Sequence, residues 1–358
     1  MTTVMIMAGG TGGHVYPAMS VAQALRDKRV NVVWLGTRGG LEARVVPQSG
    51  FEIEWLGVRS VVGASWRRKL TSPWMLLRAL GQALRILRRR APDVVLGMGG
   101  FVAGPGGVAA WLLRYPLVIH EANARAGRTN RLLAPLARRV LTGFARTDKF
   151  PSTAHWTGNP VRAEIATIPD PAARALGENE RLRVLVLGGS QGARSINEIV
   201  PLALSQSTCR DQLDVTHQSG AGHDSTLSGV YGDLAMRATV VPFIDDMAAA
   251  YRTADLVIAR SGAMTVAELC AAGVPAILLP YPYAADDHQF ANASFAAEAG
   301  AALVIRSSEL NIEVLKHEVE RLFANRRALR DMAGAARRLA EPDATQEVVR
   351  ICLESADA

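Results

Sequence analysis

Short apolar runs alternate along the chain with longer segments of helical periodicity. The first runs, at 3–7, 30–36 and 93–97, are five to seven residues long and lead into glycine-containing turns or loops. Continuous apolar runs of this length are typical of buried parallel strands, and apolar positions repeated every three or four residues are typical of amphipathic helices. The pattern therefore predicts an α/β protein in which strands and helices alternate.

A second series of the same kind follows the Pro- and charge-bearing stretch at 168–183, with strands expected at 183–187, 215–220, 239–241 and 255–258. We place a domain boundary at Gly158–Arg162, where the alternation stops. Two such series predict two doubly wound, Rossmann-like domains with a cleft between them. Near the C-terminus the pattern predicts one helical region over 313–340, a bend at Pro342 and a last helix over 345–354.

A basic amphipathic helix is predicted over Trp66–Arg90. One face carries Leu77, Leu80, Leu84 and Leu87 at helical spacing, and we expect it to pack in the core. Trp74, Met75 and Leu76 lie near the helix start among arginines, a pattern that suits docking onto an anionic membrane surface. The alternative is an ordinary solvated basic face.

Three glycine loops follow strands, at 8–14, 97–101 and 188–194. A helix that begins after such a loop directs unpaired N–H groups toward a bound anion, so phosphate binding is expected. The strand at 30–36 ends in Thr37–Arg38 without the acid that dinucleotide folds use for ribose, which disfavours an NAD enzyme. His14 is a candidate for proton transfer, and its alternative role is to cap its helix.

The segment 255–292 predicts a strand, a tight turn at Ser261–Ala263, a helix from Met264 to Ala272 and a further strand. Glu268 lies one turn inside this helix, where its carboxylate could accept from both ribose hydroxyls of a nucleotide. Asp287 is expected to cap the next helix, and the neighbouring His288, Gln289 and Asn292 suit sugar hydroxyls. In the alternative, Glu268 is an exposed helix residue, while Gln289 and Asn292 are capping groups.

Composition narrows the class of partner. The 358 residues suit two domains, and 49% hydrophobic with 20% charged residues predict a globular fold. A net charge of +7 favours a nucleotide, nucleic acid or an acidic membrane surface. Three isolated cysteines fit a reducing compartment, and the absence of a signal peptide or an apolar run of ~20 residues predicts a soluble or peripheral protein.

Seven motifs in order resemble those of a bacterial cell-wall glycosyltransferase family of the two-domain GT-B class, which adds N-acetylglucosamine to lipid I and makes lipid II. They are GGTGGHVYP from Gly9, GMGGFVAGP from Gly97, HEANARAGRTN from His120, GNPVR from Gly158, GGSQGAR from Gly188, FIDDM from Phe243 and RSGAMTVAEL from Arg260. The resemblance covers nearly the whole chain. It implies an acceptor- and membrane-facing domain of residues 1–160 plus 341–358, and a donor-binding domain of residues 161–340.

The resemblance also implies the substrates, UDP-N-acetylglucosamine as donor and lipid I as acceptor. The residues it assigns to the donor are Thr11, Gly12, Gly13, Asn123, Arg162, Ser190, Ile244, Ala263, Met264, Thr265, Glu268, Gln289 and Asn292, with Phe243 and Met247 beside uracil. Those it assigns to the acceptor diphosphate are Gly9, Gly10, Gly99, Gly100 and Phe101. Transfer is expected to invert the anomeric centre, with His14 as general base and Glu121 and Asn123 placing the acceptor.

Helix N-termini and Arg162 would stabilise the departing diphosphate, so neither a metal ion nor another cofactor is expected. The implied location is the cytoplasmic face of the inner membrane, where Trp111 would join the apolar patch, and other cell-wall synthesis proteins are further expected partners. The chain departs from common family patterns at Phe101, Ala122 and His288. Two rivals remain: another sugar-nucleotide enzyme of this fold, and a nucleic-acid-binding protein, which the lack of interleaved aromatic residues disfavours.

Overall fold

The computed structural model describes residues 1–58, 66–174, 181–189 and 192–357, and the side chains of 66–73 and 285 are outside this description. The chain divides into two compact units. Unit 1 comprises Met1–Arg162 and Glu341–Ala358, and unit 2 comprises Ala163–Ala340. Each unit holds a parallel sheet with helices on it, which confirms the predicted fold class of two doubly wound, Rossmann-like domains.

Unit 1 is built on a parallel sheet with seven described strands in the order β3-β2-β1-β4-β5-β6-β7. The strands are β1 (Thr3–Met7), β2 (Asn31–Gly36), β3 (Glu52–Trp55), β4 (Val94–Gly97), β5 (Leu117–Glu121), β6 (Arg139–Thr142) and β7 (His155–Trp156). The helices are α1 (Gly12–Asp27), α2 (Glu42–Gln48), α3 (Trp66–Arg90), α4 (Ala103–Leu112), α5 (Arg128–Leu133) and, from the end of the chain, α14 (Ala344–Ala356).

Side chains of the central strands alternate between the two faces of this sheet, as a period of two requires. On β1, Val4 and Ile6 enter one buried cluster with α1 and α14, whereas Met5 and Met7 enter the cluster formed with α3 and α4. The last helix therefore belongs to the core of unit 1, although the whole of unit 2 separates it in sequence from the rest of unit 1.

The prediction that Leu77 lies on the core face of α3 is wrong. Leu87 is fully buried and Leu80 and Leu84 pack partly buried against the core, but Leu77 is 61% exposed. The buried stripe is centred on Ala79 and Ala83, and at 100° per residue Leu77 points about 140° away from its centre. The leucine spacing alone predicted the wrong face for Leu77, because two of the fully buried residues of this helix are alanines.

Unit 2 is built on a second parallel sheet, whose described strands follow the order β10-β9-β8-β11-β12-β13. The strands are β8 (Leu182–Leu187), β9 (Leu213–Gln218), β10 (Ala238–Val241), β11 (Leu256–Ala259), β12 (Ala276–Leu278) and β13 (Ala302–Val304). The helices are α6 (Ala163–Ala166), α7 (Arg194–Ser205), α8 (Asp224–Asp233), α9 (Met247–Thr253), α10 (Ala263–Ala272), α11 (His288–Glu298), α12 (Ile312–Ala324) and α13 (Arg326–Arg338).

The region over 313–340 is helical, as predicted, and it consists of two helices, α12 and α13, which meet at Asn325. Asn325 leaves the helical conformation with φ −119° and ψ 76°, and its side chain accepts a hydrogen bond from the Ala328 N–H at 3.1 Å. Asn is among the favoured N-cap residues because this bond satisfies an amide of the first turn. Apolar periodicity continues across the break, so it did not reveal a new helix start.

Candidate functional site

Each sheet reverses its strand order at one point, and a glycine-containing loop or turn follows the strand on either side of it. In unit 1 this point lies between β1 and β4, and in unit 2 it lies between β8 and β11. Open α/β sheets bind ligands beyond the carboxyl ends of their strands at such switch points. The fold therefore provides one candidate ligand-binding edge in each unit.

The first two glycine loops touch at the switch point of unit 1. A Cβ atom at Gly100 would overlap the carbonyl oxygen of Gly9, and Gly100 also has a positive φ of 82°. The Phe101 ring lies against Gly10, since a Cβ there would stand 3.3 Å from Phe101 Cε1. The structure thus brings together the residues predicted for the acceptor diphosphate.

His14 lies at the same edge, in the first turn of α1. A Cβ atom on Gly99 would stand 2.6 Å from His14 Cδ2, so the imidazole occupies space that only glycine leaves open. Its Nδ1 is 3.5 Å from Thr11 Oγ1. Gly12 and Gly13 form the helix start beside it. The predicted proton-transfer residue is therefore adjacent to the second glycine loop, and it does not lie in the core.

Glu42 is a residue of this edge that the sequence interpretation missed. Its fully buried carboxylate accepts hydrogen bonds from the Gly10 N–H at 2.9 Å, the Thr37 N–H at 3.0 Å and the Thr37 hydroxyl at 2.7 Å. The residues directly after β2, Thr37 and Arg38, include no acid, and the sequence interpretation therefore missed Glu42. Glu42 comes five positions after Thr37, and its side chain turns inward. Glu42 fixes the first glycine loop.

Glu121 is the last residue of β5, which pairs with β4, and Asn123 follows two positions later. Glu121 is 3% exposed, and its two oxygens accept from Asn123 N, Asn123 Nδ2, Gly127 N and Asn130 Nδ2 at 2.9–3.0 Å. With four donors around its carboxylate, Glu121 holds the loop at 122–127 in place. Asn123 is half-buried at the edge, whereas Glu121 is almost completely buried.

His120 precedes them and is fully buried. Its Nε2–H donates to the carbonyl of Gly158 at 3.0 Å, and desolvation lowers the pKa of the imidazole. Arg162, at the end of this unit, places its guanidinium carbon 5.9 Å from the centre of the Tyr16 ring on α1. The predicted diphosphate cation is thus positioned near the first turns of α1.

In unit 2 the third glycine loop joins β8 to α7. Gln218 Nε2 donates to the Gly189 carbonyl at 2.9 Å, which ties the loop to the end of β9. The N-cap of α7 is Ala193, whose side chain has no acceptor for the N–H groups of the first turn. Ser190, predicted to contact the diphosphate, lies outside the described residues.

Arg260 connects this loop to the other side of the switch point. Its guanidinium donates to Ser195 Oγ at 2.7 Å, to the Leu279 carbonyl at 2.8 Å and to the Pro280 carbonyl at 3.3 Å. Burial lowers the pKa of this guanidinium. Arg260 could have been found from the sequence, because it directly follows a buried strand and precedes a glycine turn, where open α/β sheets place their ligands.

The helix α10 begins at this switch point with Gly262 as its N-cap. Ala263 and Met264 are buried, so a ligand would meet their backbone N–H groups, and Thr265 is half-exposed. Glu268 is only 7% exposed, and the hydroxyl of Tyr251 donates to its Oε2 at 3.2 Å. The alternative interpretation of Glu268 as an exposed helix residue is wrong.

Gln289 and Asn292 bind the turn that precedes α10. The Gln289 carbonyl accepts from Ser261 Oγ at 2.8 Å, its side-chain Oε1 accepts from Tyr281 N at 2.9 Å, and Asn292 Nδ2 donates to the Ser261 carbonyl at 3.1 Å. Asp287 is the N-cap of α11, as predicted, but it has a positive φ of 55° and its side chain makes no capping bond.

The residues predicted around uracil follow β10. Phe243 is 45% exposed, Ile244 is half-buried and Met247 is buried at the start of α9. The side chain of Asp246 caps this helix by accepting from Ala249 N at 2.8 Å. An exposed ring beside apolar neighbours suits stacking with a planar base.

A further apolar surface lies on α3 and α4, which pack against each other. Trp74 is 76% exposed, and Leu76, Leu77, Trp111 and Leu112 are each between 43% and 61% exposed. We call these five residues the apolar patch. The predicted member Met75 differs from them because it packs partly buried against the core.

Among the described residues, no helix is long and apolar enough to cross a membrane. Over the same part of the chain, His, Cys, Asp and Glu side chains do not form a group of three or more that could hold a metal ion.

Comparisons with known proteins agree with this geometry. The family model for the glycosyltransferase family 28 N-terminal domain matches residues 4–142, and the model for the C-terminal domain of the same family matches residues 183–348. The chain is also similar to the crystal structure of MurG from Acinetobacter baumannii, with a TM-score of 0.85 and 39% identity over 99% of this chain and 100% of that one.

Two curated relatives extend over the whole chain. A protein of Nitrosococcus oceani is 52% identical over 99% of this chain and 98% of its own length, and one of Alkalilimnicola ehrlichii is 53% identical over 99% of each. Both are named UDP-N-acetylglucosamine–N-acetylmuramyl-(pentapeptide) pyrophosphoryl-undecaprenol N-acetylglucosamine transferase.

Proposed function

Because the chain belongs to glycosyltransferase family 28, we infer that it transfers N-acetylglucosamine from UDP-N-acetylglucosamine to N-acetylmuramyl-(pentapeptide) pyrophosphoryl-undecaprenol, or lipid I, and so makes lipid II for peptidoglycan synthesis. The observation that carries this inference is the identity of about half of all residues with transferases of that name over nearly the full chain. The residues at the two switch points support it chemically.

Unit 2 is the proposed donor domain. The first-turn N–H groups of α7 and α10, together with Ser190, would bind the diphosphate. Glu268 would accept from the ribose hydroxyls, and Ile244 with its aromatic neighbour Phe243 would contact uracil. Gln289 and Asn292 would contact the sugar, in addition to fixing the turn at Ser261.

Unit 1 is the proposed acceptor domain. The touching loops at Gly9–Gly10 and Gly99–Phe101 would bind the acceptor diphosphate through backbone N–H groups other than that of Gly10, which donates to Glu42. Such binding needs a close approach and little side-chain bulk. Asn123, half-buried at the same edge, would orient the muramyl sugar. Thr11, Gly12 and Gly13, at the start of α1, are also assigned to donor binding.

His14 is the proposed general base. When its Nδ1–H donates to Thr11 Oγ1, Nε2 is free of a proton and can take one from the muramyl 4-hydroxyl. The resulting oxygen attacks the anomeric carbon, a β-1,4 bond forms with inversion, and the bond to the UDP oxygen breaks. UDP leaves with the electron pair of that bond. Positive charge from Arg162 and the helix N-termini would stabilise it, without a required metal ion.

We further propose that the protein associates peripherally with the cytoplasmic face of the inner membrane through the apolar patch. Arg78 and Arg85 are exposed on the same helix, where they can attract anionic lipid headgroups. Arg89 and Arg90 instead form ion pairs with Glu54 at 2.7 and 2.6 Å and stabilise the fold. Other cell-wall synthesis proteins are further proposed partners.

The assignment of the base is tested with His14→Ala. We expect kcat for transfer to fall by roughly 10²–10⁴-fold, since that is the usual contribution of a general base, while the Kd for UDP stays within about twofold of the native value. His317→Ala is the matched control, because His317 is exposed on α12. Native kcat in His14→Ala would place the base elsewhere, and an inactive native protein would refute the proposed transfer.

A further inference from the structure

Glu268, the residue proposed to bind the ribose, accepts a hydrogen bond from a side chain on a different helix. Glu268 on α10 is 7% exposed, and its Oε2 accepts from the hydroxyl of Tyr251 at 3.2 Å. Tyr251 is on α9 and only 1% exposed. The phenol is therefore a fixed part of the core whose polar end reaches the carboxylate.

The position of Tyr251 relative to α10 is fixed at its backbone as well. Arg174 donates from Nη1 to the Tyr251 carbonyl at 3.4 Å, and from Nη2 to the carbonyls of Ala272 and Gly273 at 2.8 and 2.7 Å. These two carbonyls lie at the C-terminal end of α10, where a cation is also favoured by the helix dipole. Arg174 thus joins α9 to one end of α10, and the Tyr251 hydroxyl joins it to Glu268.

A carboxylate can accept about four hydrogen bonds, two on each oxygen. Acceptance from the Tyr251 hydroxyl on Oε2 is therefore compatible with acceptance from the two hydroxyls of a ribose. Without the phenol hydroxyl, the buried carboxylate would lose a donor and could occupy other rotamers. Two-point recognition of a diol depends on a single orientation, because both bonds must form at once.

We propose that Tyr251 is a positioning residue for ribose recognition: its hydroxyl fixes Glu268 in the orientation that accepts from both ribose hydroxyls, and it thereby contributes to discrimination against 2′-deoxyribonucleotides. This inference rests on the proposed function, which gives Glu268 the ribose of the donor. Tyr251 has no part in the chemical step, so its effect belongs in donor affinity.

The test compares binding of UDP and 2′-deoxy-UDP to the native protein and to Tyr251→Phe by calorimetry, which needs no acceptor. We expect the Kd for UDP to rise about tenfold, which is the size of effect expected when a hydrogen bond to a charged group is lost. The ratio of the 2′-deoxy-UDP Kd to the UDP Kd should fall at least threefold, because a misoriented carboxylate no longer distinguishes the two sugars. In the transfer assay, KM for the donor should rise while kcat stays within twofold.

The matched control is Tyr231→Phe, which removes another buried phenol hydroxyl of unit 2. That hydroxyl bonds His217 Nδ1 at 2.9 Å, away from Glu268, so the control should leave both Kd values and their ratio unchanged. In a Glu268→Ala background, Tyr251→Phe should have no further effect on UDP binding, since the residue on which it acts is gone.

Equal weakening of both ligands by Tyr251→Phe would mean that the phenol acts through packing and would overturn the proposal. Unchanged UDP affinity, or an undiminished effect in the Glu268→Ala background, would overturn it too. A native protein that does not bind UDP would instead refute the proposed function. The two failures are therefore distinguishable.

Discussion

Glu42→Gln is the substitution that tests how the first glycine loop is held. The native Oε1 accepts from the N–H and the hydroxyl of Thr37, and Oε2 accepts from the Gly10 N–H. Glutamine has only one side-chain oxygen. If that oxygen stays with Thr37, the new NH₂ group faces the Gly10 N–H, and one buried donor is left without an acceptor.

A lost bond to a charged group, together with an unsatisfied buried donor, costs about 2–4 kcal/mol. In a unit of this size that corresponds to a fall of roughly 5–15 °C in the unfolding temperature. Calorimetric unfolding measures the loss, and amide hydrogen exchange at Gly10 locates it, with exchange expected to accelerate at least about tenfold. We also expect KM for a lipid I analogue to rise while the Kd for UDP stays the same.

Glu313→Gln is the control, because Glu313 is 71% exposed and pairs with Lys316 on the surface of α12. It should change stability by no more than about 0.5 kcal/mol. If Glu42→Gln behaves like this control in both the unfolding temperature and the Gly10 exchange rate, Glu42 does not hold the loop.

Three further predictions concern other parts of the chain. Gly100→Ala, which would overlap the Gly9 carbonyl at a positive φ, should abolish transfer to lipid I but leave UDP binding intact; native KM for the acceptor would contradict the loop contact. Burial lowers the pKa of His217 to about 3, so the imidazole stays neutral in the folded protein while the unfolded chain takes up a proton below pH ~6.5. The contribution of His217 to the free energy of unfolding is therefore present above pH ~6.5 and is lost as the pH falls. Chemical denaturation should show that the free energy of unfolding falls by about 2 kcal/mol between pH 7 and 5. That loss should disappear in His217→Leu with Tyr231→Phe, and its persistence would point to other groups. Trp74→Ser should weaken sedimentation with anionic vesicles roughly tenfold, and unchanged binding would remove the apolar patch from the membrane contact.

Much of the fold could be predicted because strong local signals coincide. The strand Thr3–Met7 has the predicted bounds, and the helix at 263–272 ends at Gly273 in the left-handed conformation that glycine favours. The strands His155–Trp156 and Ala302–Val304 were missed because two or three residues give no usable periodicity. Tertiary pairing, and not local pattern, makes them strands.

The candidate site could be predicted in its ligand-facing residues and not in its supports. Glycine loops after strands and Glu268 inside a helix are local patterns. Glu42 meets Gly10 across 32 positions and Arg260 meets Ser195 across 65, and these contacts depend on the order of strands in each sheet. A single sequence does not reveal that order directly, so the residues that hold the loops became visible only in the structure.

The most direct test of the central claim is transfer of labelled sugar from UDP-N-acetylglucosamine to a short-chain lipid I analogue. UDP-N-acetylgalactosamine serves as the donor control, and a parallel reaction contains EDTA. We predict that label reaches the lipid only from UDP-N-acetylglucosamine, with release of UDP, and that EDTA has no effect. UDP binding without any labelled lipid would contradict the proposed acceptor, and a failure to bind UDP would contradict the assignment of the second switch point as a donor site.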